Sequence, residues 1–373
     1  MSNSKPASVN QVWLVSLAAL AVSVAVVGMN LMGQGHAAFN TTSHGPLAWG
    51  MPVVTYDYFV SFSIGMAFVA GAALVFDVEG LYASMKRVLW IAMAALAGGI
   101  LVLGLELGHP FRATYAILLN FQTSSPLFWK PILVFLYIWV LLAAYAKVAR
   151  PGWSPAAVKP LGYALFITGG LLAAGSAAVF GLMSMRPVWY DPMLPVFSIF
   201  ESMILGLSGI IVAVSIGHGG VANAPEPTRK LLEGLGRNGM ALFTAVVLLS
   251  VVVRAWGGVW SNLDGLQVWQ TIVRGPLFWA EIVALALALA LLLRGGGLLS
   301  AAVLVIVATF IGRYEFVIAG QMVPLFKGSW VPGLVSYAPS ITEWMVAVLG
   351  LALNFAIYAY GEKRLDLSAA PGN

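Results

Sequence analysis

Charge and cysteine are both scarce in this chain of 373 residues. Only 9% of the residues are Asp, Glu, Lys or Arg, and there is no cysteine. Without cysteine the chain by itself forms no disulfide, no thiolate-held iron–sulfur cluster and no covalently attached c-type haem. A soluble domain carries about 25% charged residues, so the low charge also excludes that class.

Long apolar runs take the place of charge. The chain is 60% hydrophobic, with a mean hydropathy of +0.91. Ten runs approach the length of about 20 residues that crosses a bilayer as a helix. They lie at 12–31, 56–78, 88–108, 127–148, 159–181, 197–217, 237–256, 275–293, 298–318 and 341–360. Because they are continuously apolar rather than alternating, they predict an all-α integral membrane protein, with residues 1–373 as one membrane domain.

The distribution of Lys and Arg predicts the orientation. If the N-terminus is cytoplasmic, 12 of the 19 Lys and Arg lie on the inner side and 7 on the outer side. This asymmetry favours a multi-pass protein of the bacterial inner membrane with both termini in the cytoplasm. The first apolar run exceeds the core of a signal peptide, so we expect it to be retained as a helix. The positive inner face then explains the net charge of +5 without a nucleic-acid partner. The same charge also suits contact with anionic lipid.

The four histidines restrict metal chemistry further. His218 is predicted to end a helix near the inner face, away from His36, His44 and His109. A b-type haem between helices usually needs two imidazoles at matched depth, and only a pairing of His36 or His44 with His109 remains open. We therefore expect this chain to bind neither a metal nor a haem.

Two short strings repeat along the chain. PLFW occurs at 126–129 and 276–279, and FSIG at 62–65 is matched by FSIF at 197–200. The order suggests duplication of a four-helix unit. We predict a first four-helix bundle over 56–181 and a second over 197–318, flanked by helices 12–31 and 341–360.

The sequence LGLELGHPFR at 103–112 places Glu106, His109 and Arg112 at the outer end of an apolar run. Ionisable groups at bilayer depth are costly and usually mark a path for ions, protons or ligands. While the helix lasts, Glu106 and His109 share a face, because they are three residues apart. Both are candidates for proton exchange.

Other ionisable groups also lie near predicted outer helix ends. Arg313 and Glu315 are either part of a site or an ion pair between helix ends. Arg186, Arg274 and Lys130 are expected to reach towards lipid phosphates instead. The remaining candidates are Tyr56, Asp57, Glu201, Arg254 and Glu281.

Several of these segments together resemble a known family. LELGHPFR followed by ILLNFQTSSPLFW resembles the signature of the NrfD/PsrC family of quinone-interacting membrane subunits, and TYDYFVSFSIGMAFVAG resembles its preceding helix. The segment GRYEFVIAGQMVPLF and the final helix are similar to the ten-helix branch with HybB-type and DsrP-type subunits. The resemblance covers about residues 45–362.

The resemblance implies a subunit that binds menaquinone or ubiquinone near the outer face of the first bundle. It also implies a peripheral iron–sulfur subunit on the outer, periplasmic side and a further catalytic subunit. Glu106 takes the family's aspartate position and His109 its arginine position, while Arg112 matches the trailing basic residue. Arg313, close to Glu315, matches the arginine of the family's Gly-Arg motif. The second helix lacks the histidine of some relatives, and Tyr56 and Asp57 are our candidates to substitute for it.

The residues alone leave three functions open. Quinone reduction takes two electrons and two protons, so a quinone site needs proton-exchanging groups beside an apolar pocket. A secondary transporter with two parallel repeats also fits repeated bundles and buried charges. A purely structural membrane anchor is the third alternative. Coupled proton movement through Glu201, Arg254 and Glu281 is compatible with the first two.

Overall fold

In a computed structural model of the chain, the described residues are 6–41, 47–112, 115, 119, 121–258, 260–324 and 333–368. These ranges contain twelve α-helices and no β-strand. The helices are α1 Ala7–Gln34, α2 Met51–Val75, α3 Met85–Glu106, α4 Pro126–Val148, α5 Pro155–Gly181, α6 Leu194–His218, α7 Glu226–Leu231, α8 Arg237–Gly258, α9 Leu263–Arg274, α10 Pro276–Leu293, α11 Leu298–Ala319 and α12 Ile341–Arg364.

The all-α membrane architecture expected from the apolar runs is confirmed. Within the described residues, ten segments are long and apolar enough to span a membrane, and each corresponds to one predicted run. Helices α7 and α8 form one of these segments, joined by a π-helical turn at Leu232–Gly236. We use "predicted outer face" for the side on which α1 ends and α2 begins.

Helix α2 lies at the centre of the molecule. Most of its surface is buried, against α3, α5, α6 and α11. A helix that is apolar on all sides is suited to this position, because it has no polar face that needs water. Helix α4 packs on α3 and α5, while α8 and α10 complete the contacts of α6 and α11; α1 packs mainly on α12, which also contacts α3. The rest of the fold is therefore arranged around α2.

Helices α2 and α6 touch through their backbones. A methyl group added at Gly65 would collide with the Ser202 carbonyl, and one added at Gly206 would collide with the Gly65 carbonyl. Small residues allow such close approach between membrane helices, where van der Waals packing drives association. The two glycines therefore fix the crossing of α2 and α6.

One outer connection contains a helix that the sequence analysis left as a loop. Helix α9 is amphipathic, and its N-terminus is capped by Asn262 Oδ1, which accepts a hydrogen bond of 2.8 Å from the Gly265 amide. Val268 and Ile272 are buried, whereas Leu263 at its start is 85% exposed. Strong amphipathicity with an exposed apolar end is typical of a helix in the membrane interface.

A buried ion pair connects helices at the opposite, predicted inner face. Arg87 at the start of α3 bonds Glu362 near the end of α12, and both side chains are almost fully buried. Arg87 Nη1 also lies 3.2 Å from His218 Nε2, where α6 ends as predicted. These contacts connect the ends of three helices.

Candidate functional site

Four charged side chains form a continuous network near the predicted outer face. Asp57 Oδ1 accepts from Lys130 Nζ at 3.0 Å, and Asp57 Oδ2 accepts from Arg313 Nη1 at 2.8 Å. Arg313 Nη2 then donates to Glu201 Oε2 at 2.6 Å. Asp57 is only 1% exposed. Each buried charge has an opposite partner, which offsets the desolvation cost that an isolated charge would carry.

The network forms because four helix ends meet at one depth. Three of the residues, Asp57, Lys130 and Glu201, lie within the first eight residues of α2, α4 and α6. Arg313 lies six residues before the end of α11. Tyr56 completes the group, since Lys130 Nζ is 5.0 Å from the centre of its ring. The structure thus brings together four of the candidates named from the sequence: Tyr56, Asp57, Glu201 and Arg313.

Lys130 was expected to extend towards lipid phosphates, and this expectation was wrong. Its side chain is only 12% exposed, because it turns inward to Asp57. The repeated string held a signal for this residue: PLFW is followed by Lys130 in one copy and, one position later, by Glu281 in the other. Both side chains are buried near the outer ends of their bundles.

Glu106 occupies a separate position, at the last residue of α3. Its Oε1 is 3.5 Å from Thr41 Oγ1, and the Gly50 amide and Glu343 lie beside it. The helix ends here, so His109 follows in a bend, exposed, and does not share a helical face with Glu106.

The residues that follow Glu106 in the 103–112 motif lie at the surface. Arg112 is exposed, and the imidazole of His36 lies beside Gly108. The sequence leaves open a haem held by His109 together with His36 or His44. His36 and His109 both lie near this end of α3, and His44 lies outside the described residues.

The neighbour of Glu106, Glu343, is held by a capping box. Glu343 Oε2 accepts from the Ser340 amide at 2.6 Å, and Ser340 Oγ accepts from the Glu343 amide at 3.2 Å. Tyr337 donates its hydroxyl to Glu343 Oε1 at 2.9 Å and accepts from the Met51 amide at 2.9 Å. Burial raises the pKa of Tyr337 well above its usual range, so the hydroxyl stays protonated and able to donate. These bonds hold Glu343 beside Glu106, a structural role that the sequence analysis missed.

A polar cavity of about 80 Å³ adjoins the network on the side of the second bundle. Glu201 and Arg313 reach it from the network, and Arg254, Glu281 and Glu315 complete its charged lining. Arg313 does not pair with Glu315. It bonds Asp57 and Glu201 instead, because residues two apart on a helix point in different directions.

Arg254 lies where this cavity meets the outer surface. Its Nε is 3.6 Å from Asp191 Oδ2, and its guanidinium lies 4.6 Å from the centre of the Phe316 ring. A wider surface cleft of about 450 Å³ shares Arg254 and Trp269 with the polar cavity. The polar cavity that contains Glu281 and Glu201 therefore adjoins a cleft at the predicted outer face.

The side chains of the site are of types that can form hydrogen bonds and exchange protons. Among the described residues, no group of three or more His, Cys, Asp and Glu is arranged to hold a metal ion. The network instead places carboxylates, an ammonium, a guanidinium and a phenol next to lipid-facing helices.

Comparisons with known proteins give a consistent result. The profile of the family described as "Polysulphide reductase, NrfD" matches residues 40–325. One of the subunits of the selenate reductase of Mesobacillus selenatarsenatis is 21% identical, over 82% of this chain and 83% of the relative. The Hdr-like menaquinol oxidoreductase integral membrane subunit of Archaeoglobus fulgidus is 22% identical, over 86% of this chain and 85% of the relative.

A solved structure has a similar fold. The bd oxidase of Geobacillus thermodenitrificans superposes with a TM-score of 0.50, covering 81% of this chain and 94% of that chain, at 11% sequence identity. At this identity the likeness concerns the fold alone.

Proposed function

The chain belongs to the NrfD polysulphide reductase family, and from that premise we propose that it is the quinone-reactive membrane subunit of a respiratory oxidoreductase complex. Two relatives carry names of the same kind, a reductase subunit and a menaquinol oxidoreductase membrane subunit. In this proposal the chain binds quinone or quinol and passes electrons to a peripheral iron–sulfur subunit, which in turn serves a further catalytic subunit.

The observation that carries the proposal is the Lys130–Asp57 pair beside Tyr56. An ammonium has three N–H donors, and Asp57 takes one of them at 3.0 Å. The other donors of Lys130 suit a quinone carbonyl, while the Asp57 carboxylate suits a quinol hydroxyl. Helix α4 exposes large apolar side chains to lipid near Lys130, among them Leu127 and Trp129, so a ligand that diffuses in the bilayer has access. The residues present therefore fit a quinone headgroup.

A quinone supplies two-electron redox chemistry that is coupled to two protons. We assign the binding of its oxygens to Lys130 and Asp57, and the exchange of protons with the surface to Glu106. Tyr56 packs against α3 at Gly99, seven residues before Glu106. Seven residues of helix span about 10 Å, so Glu106 lies between the network and the predicted outer surface. His109 and Arg112 are exposed next to Glu106 and suit contact with a docked partner.

The predicted outer face supports docking of an electron-transfer partner. Large apolar side chains are exposed where α3 and α4 approach it, including Phe111, Tyr115 and Phe121. Contiguous exposed apolar surface commonly marks a protein or membrane interface. An iron–sulfur cluster held there by the partner would lie near the proposed quinone site. This placement assumes the orientation predicted from Lys and Arg, with both termini in the cytoplasm of a bacterium.

The proposal also includes proton movement coupled to the quinone reaction. Arg313 bonds both Asp57 and Glu201, so it joins the proposed quinone site to the cavity that contains Glu281 and Arg254. A change of charge at Asp57 would act on Glu201 through the shared guanidinium. The transporter and the structural anchor are the alternatives, but the two relatives described above are named as oxidoreductase subunits.

The deciding experiment measures quinol-linked turnover in the complex purified from its native membrane. We expect Glu106→Gln and Lys130→Gln each to lower turnover at least tenfold while the complex still assembles. The control is Glu226→Gln, which alters an exposed ion pair far from the site. Wild-type turnover in both site variants, or purification without quinone and without an iron–sulfur subunit, would overturn the proposal.

A further inference from the structure

A second cavity lies between five helices, away from the charged network. Its volume is about 110 Å³, and it is lined by side chains of α2, α3, α6, α11 and α12. The lining is almost entirely apolar, with Phe59, Phe62, Ile91, Val212 and Ile306 among its members. Apolar cavities of this kind stay free of water and take up apolar molecules, because water finds no hydrogen-bond partners there.

Three polar side chains line the cavity: Tyr58, Asn354 and Tyr358. The Tyr58 hydroxyl donates to the Ile306 carbonyl at 2.6 Å, and the Tyr358 hydroxyl donates to the Ala213 carbonyl at 2.8 Å. Both tyrosines are therefore already paired with the backbone. Asn354 differs, because its Oδ1 is buried without a hydrogen-bond partner among the described residues.

An unpaired amide oxygen in the interior is costly. A buried acceptor left without a donor loses the hydrogen bonds that it makes in water, and polar groups within a membrane commonly mark a functional site. The Asn354 side chain lies against Gly98, and the amide both donates and accepts hydrogen bonds. A rotation of the amide would present either atom to a ligand in the cavity.

The depth of Asn354 restricts the class of ligand. Helix α12 has 24 residues, about 36 Å of helix, and Asn354 is 13 residues after Ile341, or about 20 Å along it. The amide therefore lies close to the middle of the bilayer. Phospholipid headgroups stay outside a hydrocarbon core of about 30 Å, so their acyl chains bring no polar atom to this depth. The ligand must be lipophilic and carry its own oxygen into the core.

The cavity lies close to the lipid-facing surface of the protein. Leu351, at its edge on α12, is 48% exposed on the surface of a membrane-spanning helix. A molecule dissolved in the bilayer would enter sideways at this position and pass between α12 and its neighbours.

From these observations we infer that the cavity is a mid-membrane binding site for a lipophilic carbonyl or hydroxyl compound, held by apolar contacts and one hydrogen bond to Asn354. The assignment of that compound as an isoprenoid quinone rests on the proposed function. In that case the chain has two quinone positions: a reactive one beside Lys130 and a second at Asn354 without charged groups.

A photolabelling experiment on the intact complex in lipid nanodiscs tests this inference. The probe is a naphthoquinone with a diazirine on a short alkyl tail, and labelled peptides are mapped by mass spectrometry. We expect label on the peptide that contains 351–358. Ala95→Leu fills the cavity and Asn354→Leu removes the amide, and each should lower this label at least fivefold. Leu101→Phe, on the lipid-facing side of α3, is the control and should leave it unchanged.

A naphthalene probe with the same tail and no oxygens separates polar recognition from simple partition. It should label 351–358 at least fivefold less than the naphthoquinone in wild type. Equal labelling by both probes, no label on 351–358, or unchanged label in both Ala95→Leu and Asn354→Leu would overturn the inference. Label on 351–358 without label near Lys130 supports the cavity and contradicts the proposed function, whereas the reverse pattern contradicts the cavity alone.

Discussion

Asp57 and Arg313 are 256 positions apart in the chain, yet Asp57 Oδ2 and Arg313 Nη1 are 2.8 Å apart in the buried interior. The bond joins α2 to α11, and therefore the predicted first bundle to the second. Arg313 uses its other nitrogen to bond Glu201 on α6, so one guanidinium holds three helices.

Loss of the Asp57 charge should destabilise the fold as well as the site. In Asp57→Asn, Lys130 and Arg313 remain buried with one fewer opposite charge, and breaking a buried pair in this way costs about 3–5 kcal/mol. We expect a clearly lower thermal midpoint, measured by tryptophan fluorescence in detergent. Glu226→Gln, which breaks an exposed pair worth about 0.5 kcal/mol, should leave the midpoint nearly unchanged. Equal midpoints for the two variants would show that the network does not stabilise the fold.

The ion pair at the predicted inner face should also be important for stability. Glu362→Gln leaves Arg87 buried without its carboxylate partner, so we expect a loss of about 3 kcal/mol. The matched control is Arg364→Gln, an exposed residue of the same helix end. Thermal unfolding and the yield of folded protein in size-exclusion chromatography would both report the difference. The double variant Arg87→Met, Glu362→Gln has no unpaired charge at this position. If it regains stability, the loss in Glu362→Gln comes from the unpaired Arg87 charge.

The backbone contact of α2 with α6 predicts strict size limits. Gly65→Ala adds a methyl group that meets the Ser202 carbonyl, and helix backbones cannot move apart without loss of packing along both helices. We expect little or no folded protein in fluorescence-detected size-exclusion chromatography. Gly170→Ala in α5 is the control, since an added methyl group there meets no atom within 4 Å. Normal yield of Gly65→Ala would mean that the helices can separate.

Replacement of Glu281 tests proton coupling separately from electron transfer. If protons pass through the polar cavity, Glu281→Gln should lower the proton yield per electron at least twofold in vesicles that contain a pH-sensitive dye, while quinol turnover stays above half of wild type. Glu233→Gln, exposed near the predicted inner face, is the control. An unchanged proton yield in Glu281→Gln would exclude this residue from the path.

The helical architecture could be predicted almost completely from the sequence. Ten apolar runs of sufficient length can satisfy their backbones in lipid only as helices, and the structure has all ten. Helix α9 was missed, because it is short and contains no long apolar run. Its signal was the capping residue Asn262 before an amphipathic stretch.

The site could be predicted only in part. Sequence position indicates the depth of Asp57, Arg313 and Glu201, because each lies a known number of residues from a helix end. It does not indicate which helices are neighbours or how they are rotated. Lys130 was therefore expected to face lipid, and Glu106 was expected to share a helical face with His109. The surroundings of Glu106 come from Thr41, Gly50 and Glu343, and these contacts are not local in sequence.

The contact between Gly65 and Gly206 has a consequence for how the protein works. Because a methyl group at either glycine would collide with the main chain of the other helix, α2 and α6 are packed backbone to backbone at this point. Alternating access in repeat-built carriers requires one bundle to rock against the other. Such a movement would have to break the contact of α2 with α6, so we expect any coupling between electrons and protons to proceed through side-chain and water rearrangements while this helix crossing stays in place.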